Sequence, residues 1–145
     1  MKKIKCLIVD DEPTASEIIT IHLCKLEYID LIACCKNAVE ALNIINQKQI
    51  DLIFLDINMP EMSGLMLKRI IGDKVKVIFT TAHREYAIDG FELDAVDYLL
   101  KPITFESISK SISKYLKMSA TEVRIIELSE KPEVEKKQLF VKSER

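Results

Sequence analysis

The chain has 145 residues and a mass of 16.6 kDa, the size of one compact domain with room for a core and a short appendage. Hydrophobic residues make up 48% and charged residues 30%, with a net charge of −2 and a pI near 5.8. That balance excludes a broad basic surface for nucleic acid, and no apolar run approaches the roughly 18 residues of a membrane span.

The N-terminus, MKKIKCLIVD, enters an apolar run too short for a signal-peptide core, with no small-residue cleavage site after it. A cytoplasmic location is expected. IKCLIV (4–9) reads as a first strand, followed by Pro13 and an apolar stripe of Ala15, Ile18, Ile19, Leu23 and Leu26 at helical spacing. DLIACC (30–35) is again strand-like, and Asn37 is placed to cap a helix bearing Ala38, Ala41, Leu42 and Ile45. DLIFLD (51–56) is a third strand. Helical spacing resumes after Ser63-Gly64 through Leu65 and Ile70, with Gly72 placed to end that helix. VKVIFTT (75–81), a segment around 84–92, AVDYLLK (95–101) and a stripe of Ile108, Ile112, Tyr115 and Leu116 after Thr104 complete the series.

This is a strand-helix unit repeated five times. Short, nearly continuous apolar strands alternating with amphipathic helices call for a doubly wound α/β sandwich with a parallel sheet. Residues 1–118 form that domain. Residues 119–145 hold six Lys/Arg, six Glu and two short apolar patches, too little to bury a core. They read as a linker, expected to be partly disordered, and the opening of a truncated output domain. The cysteines at 6, 24, 34 and 35 show no C-x-x-C spacing and read as buried free thiols acting as small hydrophobes. A redox role is left only to the exposed member of the Cys34/Cys35 pair.

A charge that ends an apolar run, as Asp56 does, is a helix cap, a solvated loop residue or a reacting group. Parallel strands bring their carboxyl ends to one edge, where α/β ligands bind. The first strand here ends in Asp10-Asp11-Glu12, the third in Asp56, the fourth in Thr80-Thr81 and the fifth in Lys101-Pro102. Each alone is ordinary; together they concentrate carboxylates that need a cation. Hard oxygen ligands suit Mg²⁺, which bridges to phosphate oxygens. Lys101 and Thr81 offer a point charge and a donor for the same phosphoryl group, and Asp56 a nucleophile able to form an acyl-phosphate.

CLIVDDEP, LIFLDINMPEMSGL, VIFTTA and DYLLKP, in this order and spacing over residues 4–118, resemble the receiver domain of bacterial two-component response regulators. The resemblance implies a flavodoxin-like (βα)5 fold with sheet order 2-1-3-4-5. It implies that Asp56 is the phosphoacceptor, that Asp10, Asp11, Asp56 and the backbone carbonyl of Asn58 hold Mg²⁺, and that Asp11 is the more direct ligand of the acidic pair. Thr81 matches the switch hydroxyl, Tyr98 the switch aromatic and Lys101 the family's lysine, with a cis Lys101-Pro102 bond. The implied partner is a sensor histidine kinase, and phosphorylation and dephosphorylation are self-catalysed, so the chain is a phosphoacceptor and not a turnover enzyme. TTAHREYAIDGFELDAVDYLLKPI is similar to receivers attached to LytTR-type DNA-binding domains, and QLFVKSER resembles the first strand of such a domain. Transcription regulation is then implied, with DNA contacted only through that missing domain and no membrane contact. A homodimer through the last helices and strand is left open.

His22 reads as a residue of the helix surface or the core edge. The resemblance puts His83 at the mouth of the site, where side chains tune hydrolytic water. Three rivals remain: a haloacid-dehalogenase-like phosphatase, which would need Asp at position 58 where this chain has Asn; a flavodoxin-like cofactor binder, which would need a phosphate-cradling loop in place of the acidic VDDEPTAS; and a receiver-like module that never sees phosphate.

Overall fold

The computed structural model describes residues 2–89 and 94–129, with side chains described for 2–86 and 94–122. The first strand and helix are β1 (Ile4–Val9) and α1 (Pro13–Leu23), followed by β2 (Ile29–Cys35), α2 (Ala38–Gln47) and β3 (Leu52–Asp56). Then come α3 (Gly64–Ile71), a 3-10 turn (Gly72–Lys74), β4 (Lys76–Thr81), α4 (Arg84–Asp89), β5 (Asp97–Leu100) and α5 (Phe105–Ser129). The strands pair in parallel in the order β2-β1-β3-β4-β5: the parallel sheet is the one the alternation called for, and the flavodoxin-like order is the one the resemblance implied.

Local chemistry sets the element ends. Asn37 Oδ1 accepts from the Glu40 amide at 2.9 Å, and Glu40 Oε1 accepts from the Lys36 amide at 3.2 Å, so two otherwise orphaned amides at the start of α2 are satisfied. Ser63 Oγ accepts from the Met66 amide at 3.2 Å and starts α3; Gly72, at φ 67°, stops it. Thr104 and Ser107 cap α5 reciprocally, each amide donating to the other's hydroxyl.

The central strand β3 is buried along its whole length. Leu7, Val9, Ile53, Leu55, Val77 and Phe79 project to one face, under α2 and α3. By the alternation of strand side chains, Cys6, Ile8, Phe54 and Ile78 project to the other, and all are buried. Each fully buried Leu, Ile or Phe contributes about 1.5–3 kcal/mol of transfer free energy.

Two expectations need adjustment. Ile70, placed on the buried stripe of α3, is exposed, and the buried face is Gly64, Leu67 and Ile71; helix entry at Gly64, against the end of β3, sets the rotation. Cys24 and Cys34 are exposed, while Cys6 and Cys35 are buried; burial pushes the Cys6 thiol up to about 12 and the Cys35 thiol up to about 11. The segment 84–92 begins as α4, and its last three residues lie outside the described residues. The chain divides into compact units Met1–Ser111 and Ile112–Arg145, inside α5. Residues 119–129, expected as linker, are helical, consistent with the lack of Gly or Pro between Pro102 and Pro132. Residues 130–145, which hold the expected output-domain opening, lie outside the described residues.

Gly64 is where fold and site meet. A β-carbon at this position would lie 2.2 Å from the Asp56 carbonyl oxygen and 3.1 Å from Ile57 Cα, both backbone atoms that no rotamer change can move. Glycine-to-alanine replacement in a helix normally stabilises by up to about 1 kcal/mol. Here Gly64→Ala should instead cost about 2–4 kcal/mol, because α3 must back away from β3. Urea unfolding measures the sign; a neutral or stabilising result would mean the loop relaxes freely.

Candidate functional site

Pairing registers bring the predicted residues to one edge of the sheet. Val9 lies opposite Leu55, Asp56 opposite Thr80 and Thr81 opposite Leu100, so Asp10, Asp56, Thr81 and Lys101 lie within two residues of a common level. The chain leaves β1 at Asp10, whose amide donates to the Cys35 carbonyl at 3.0 Å and whose Oδ1 accepts from the Glu12 amide at 2.9 Å. That turn delivers Pro13 to the first turn of α1, where a missing amide costs nothing. After β3, the Ile57 amide donates to the Thr80 carbonyl at 3.0 Å and the Gly64 amide to the Ile57 carbonyl at 2.8 Å, pinning the loop on both sides.

Asp10 and Asp56 are buried, whereas Asp11 and Glu12 are exposed; one carboxylate oxygen from each of the four lies within 4.8 Å of the others. The Lys101 ammonium enters this cluster, 3.0 Å from Asp10 Oδ2 and 3.5 Å from both Asp56 Oδ1 and Glu12 Oε1. The peptide bond after it, Lys101-Pro102, is cis. Burial raises the Asp56 carboxyl to about 7, and Asp10 adds to that rise; the Lys101 charge and the Asn58 amide, 3.3 Å from Asp56 Oδ1, oppose it. For Lys101, burial pulls the ammonium down, but Asp10, Asp56 and Glu12 together outweigh burial and the net shift is upward. The ammonium therefore stays charged, and burial disfavours the ionised form of Asp56.

All-oxygen donors, two buried and two exposed, fit a hard divalent cation that keeps several waters. Asp10, Asp11 and Asp56 converge as the motifs suggested, and Asn58 reaches Asp56 through its amide. Glu12 was not singled out from the sequence, although it stands in the same DDE run; its proximity to Lys101, 89 positions away, is visible only in the fold.

Thr81 is fully buried, and its Oγ1 accepts from the His83 amide at 3.0 Å. Its carbonyl accepts from the Lys101 amide at 2.7 Å, joining β4 to the Lys101 loop. Tyr98 is half-buried, with its ring stacked on Phe79 at 5.1 Å and 26°. His83 is exposed; its Nδ1 is 3.6 Å from Glu85 Oε1, and its ring meets Tyr86 edge-on. His22 sits at the core edge, as its helical position suggested, with Nε2 3.2 Å from the Ile103 carbonyl. No helix among the described residues is long and apolar enough to cross a membrane.

The model of the response regulator receiver domain matches residues 6–113. The transcriptional regulatory protein BtsR of Shigella flexneri is 42% identical over 113 residues, covering 77% of this chain and 47% of that protein. A response regulatory protein of Shewanella oneidensis is 41% identical over 116 residues, covering 79% and 49%. The chain thus spans about half the length of the curated relatives it matches. The response regulatory domain of mrkE from Klebsiella pneumoniae superposes with a TM-score of 0.72 at 30% identity, over 79% of this chain and 97% of that one.

A carboxyl raised from 3.8 to about 7 binds its proton more tightly folded than unfolded. Its stabilising contribution is complete below pH 4 and is lost as pH rises through 7. Without divalent cation, Asp56→Asn should therefore match the parent chain near pH 4 and exceed its stability at pH 8 by on the order of 2–4 kcal/mol. Mg²⁺ at pH 8 should close the gap by stabilising the parent chain. Urea unfolding in chelator and in Mg²⁺ checks both; a gap independent of pH would contradict this assignment of the buried charge.

Proposed function

The chain belongs to the response regulator receiver domain family, and on that premise we propose that Asp56 accepts a phosphoryl group from a sensor histidine kinase and thereby switches the domain. The observation that carries the reading is a buried carboxylate at the open edge of the sheet with an ammonium 3.5 Å from one of its oxygens. An Asp56 oxygen attacks phosphorus in line with the departing kinase imidazole. The phosphorus–nitrogen bond breaks, its electron pair stays on the imidazole, and an acyl-phosphate forms. Mg²⁺ held by Asp10, Asp11, Asp56 and the Asn58 carbonyl would neutralise charge on the phosphoryl oxygens.

The protein's own groups handle the rest. Lys101 stands beside the reacting oxygen before phosphate arrives and can pass its contact from Asp56 to a phosphoryl oxygen. Thr81 Oγ1 accepts from the His83 amide, which leaves its own hydrogen free to donate to the phosphoryl group. Such a donation moves Thr81, and Tyr98, one strand over and stacked on Phe79, shifts with it. The population moves toward an active surface on the last helices and strand. Water attack on phosphorus, with Asp56 leaving as carboxylate, resets the switch; no separate substrate is turned over.

We assign the output to a LytTR-type DNA-binding domain that QLFVKSER resembles, in a cytoplasmic transcription regulator. The likeness to BtsR, a transcriptional regulatory protein, supports that reading. DNA contact belongs to that domain and not to residues 1–118.

Incubation with acetyl phosphate and Mg²⁺ should add one phosphoryl group by intact mass, absent in Asp56→Asn and in chelator. Lys101→Ala should slow its formation on the order of 10–100-fold. A folded, Mg²⁺-binding chain that takes no phosphoryl group from acetyl phosphate or a kinase, and no beryllofluoride, would be a phosphate-independent interaction module.

A further inference from the structure

Helix α1 reaches across to the loop that carries Lys101, and His22 makes the contact. Its Nε2 lies 3.2 Å from the carbonyl oxygen of Ile103, 81 positions away. A carbonyl oxygen only accepts, so Nε2 carries the proton. Nδ1 is buried and without a hydrogen-bond partner among the described residues. The ring also packs against Phe105, with centroids 5.9 Å apart, and Lys25 Nζ lies 5.1 Å over the same Phe105 ring. His22, in the last turn of α1, and Lys25, in the turn just after it, thus hold both ends of residues 103–105.

Lys101 stands two residues before Ile103. Its amide is fixed to the Thr81 carbonyl at 2.7 Å, Pro102 has no amide to give, and the Thr104 amide is used in the cap with Ser107. The Ile103 carbonyl is left as the handle by which α1 can set this loop. The ammonium at the loop's start must hold 3.0 Å from Asp10 and 3.5 Å from Asp56, and a displacement of about 1 Å is large for a charge-assisted contact.

We infer that His22 is a positioning residue for Lys101, acting through the Ile103 carbonyl. Its consequence for phosphoryl transfer rests on the function proposed above; its consequence for Lys101 does not. The test uses the whole chain with His22→Ala, and with His22→Gln, whose amide can donate to the same carbonyl. The first readout is the rate of amine modification at Lys101, mapped by mass and normalised to the exposed Lys110. His22→Ala should raise that rate several-fold, and His22→Gln should bring it back toward the parent value. The second readout is phosphorylation by acetyl phosphate: His22→Ala should lower the limiting rate constant at saturating acetyl phosphate on the order of 10–100-fold while the half-saturating acetyl phosphate concentration and the Mg²⁺ Kd stay near parent values, with recovery in His22→Gln. Should the alanine chain fail to fold, His22→Leu, of similar bulk to glutamine but unable to donate, takes its place. An unchanged Lys101 rate in His22→Ala, or glutamine no better than alanine or leucine, would overturn the inference. A parent chain that takes no phosphoryl group at all would overturn the phosphoacceptor reading instead, with the Lys101 rates still deciding the role of His22.

Discussion

Crowding of like charge at the carboxyl edge of the sheet governs this molecule. Among the described residues, four carboxylates approach within 4.8 Å of one another, two of them buried, and the Lys101 ammonium sits among them. Two like charges about 4 Å apart repel by roughly 4 kcal/mol at an effective dielectric constant near 20. Lys101 offsets part of that repulsion and a bound cation would offset more. The energy of such a cluster depends on how much positive charge shares it, so local electrostatics can bias an equilibrium between two arrangements of a domain.

The scaffold makes this tension sustainable by dividing labour. β3 is buried along its whole length and ends in Asp56, so that carboxylate stands at the end of a fully packed strand. Asp10 is fixed by its turn into α1, and Lys101 by the bond from its amide to Thr81. Thr81 accepts a local bond from the His83 amide through its hydroxyl, and Tyr98 is half-buried with its ring stacked on Phe79.

Much of this was legible along the chain. Alternating periodicities gave five strand-helix units, and the strand-end residues Asp10, Asp11, Asp56, Thr81 and Lys101 could be assigned to one edge because parallel strands share one. Caps at Asn37, Ser63 and Gly72 fall where local hydrogen bonding and backbone freedom require them. Legibility ended where orientation depended on a partner element. The rotation of α3, which exposes Ile70 and buries Ile71, follows from the approach of Gly64 to Asp56. The exposure of Cys24 and Cys34 follows from α1 and the edge strand β2 leaving those positions uncovered. Helical periodicity could not mark the division inside α5, because a continuous helix shows no break in sequence.

The sequence by itself determined the repeating architecture, the identity of the charged groups and their delivery to a common edge, since these depend on periodicity and on the parallel direction of the strands. Tertiary structure decided the couplings: Glu12 reaching Lys101, the Asn58 amide braced against Asp56, and His22 touching the carbonyl of Ile103. Contacts between groups 81 or 89 positions apart depend on helix rotation and loop path, which are fixed only when every buried face packs at once.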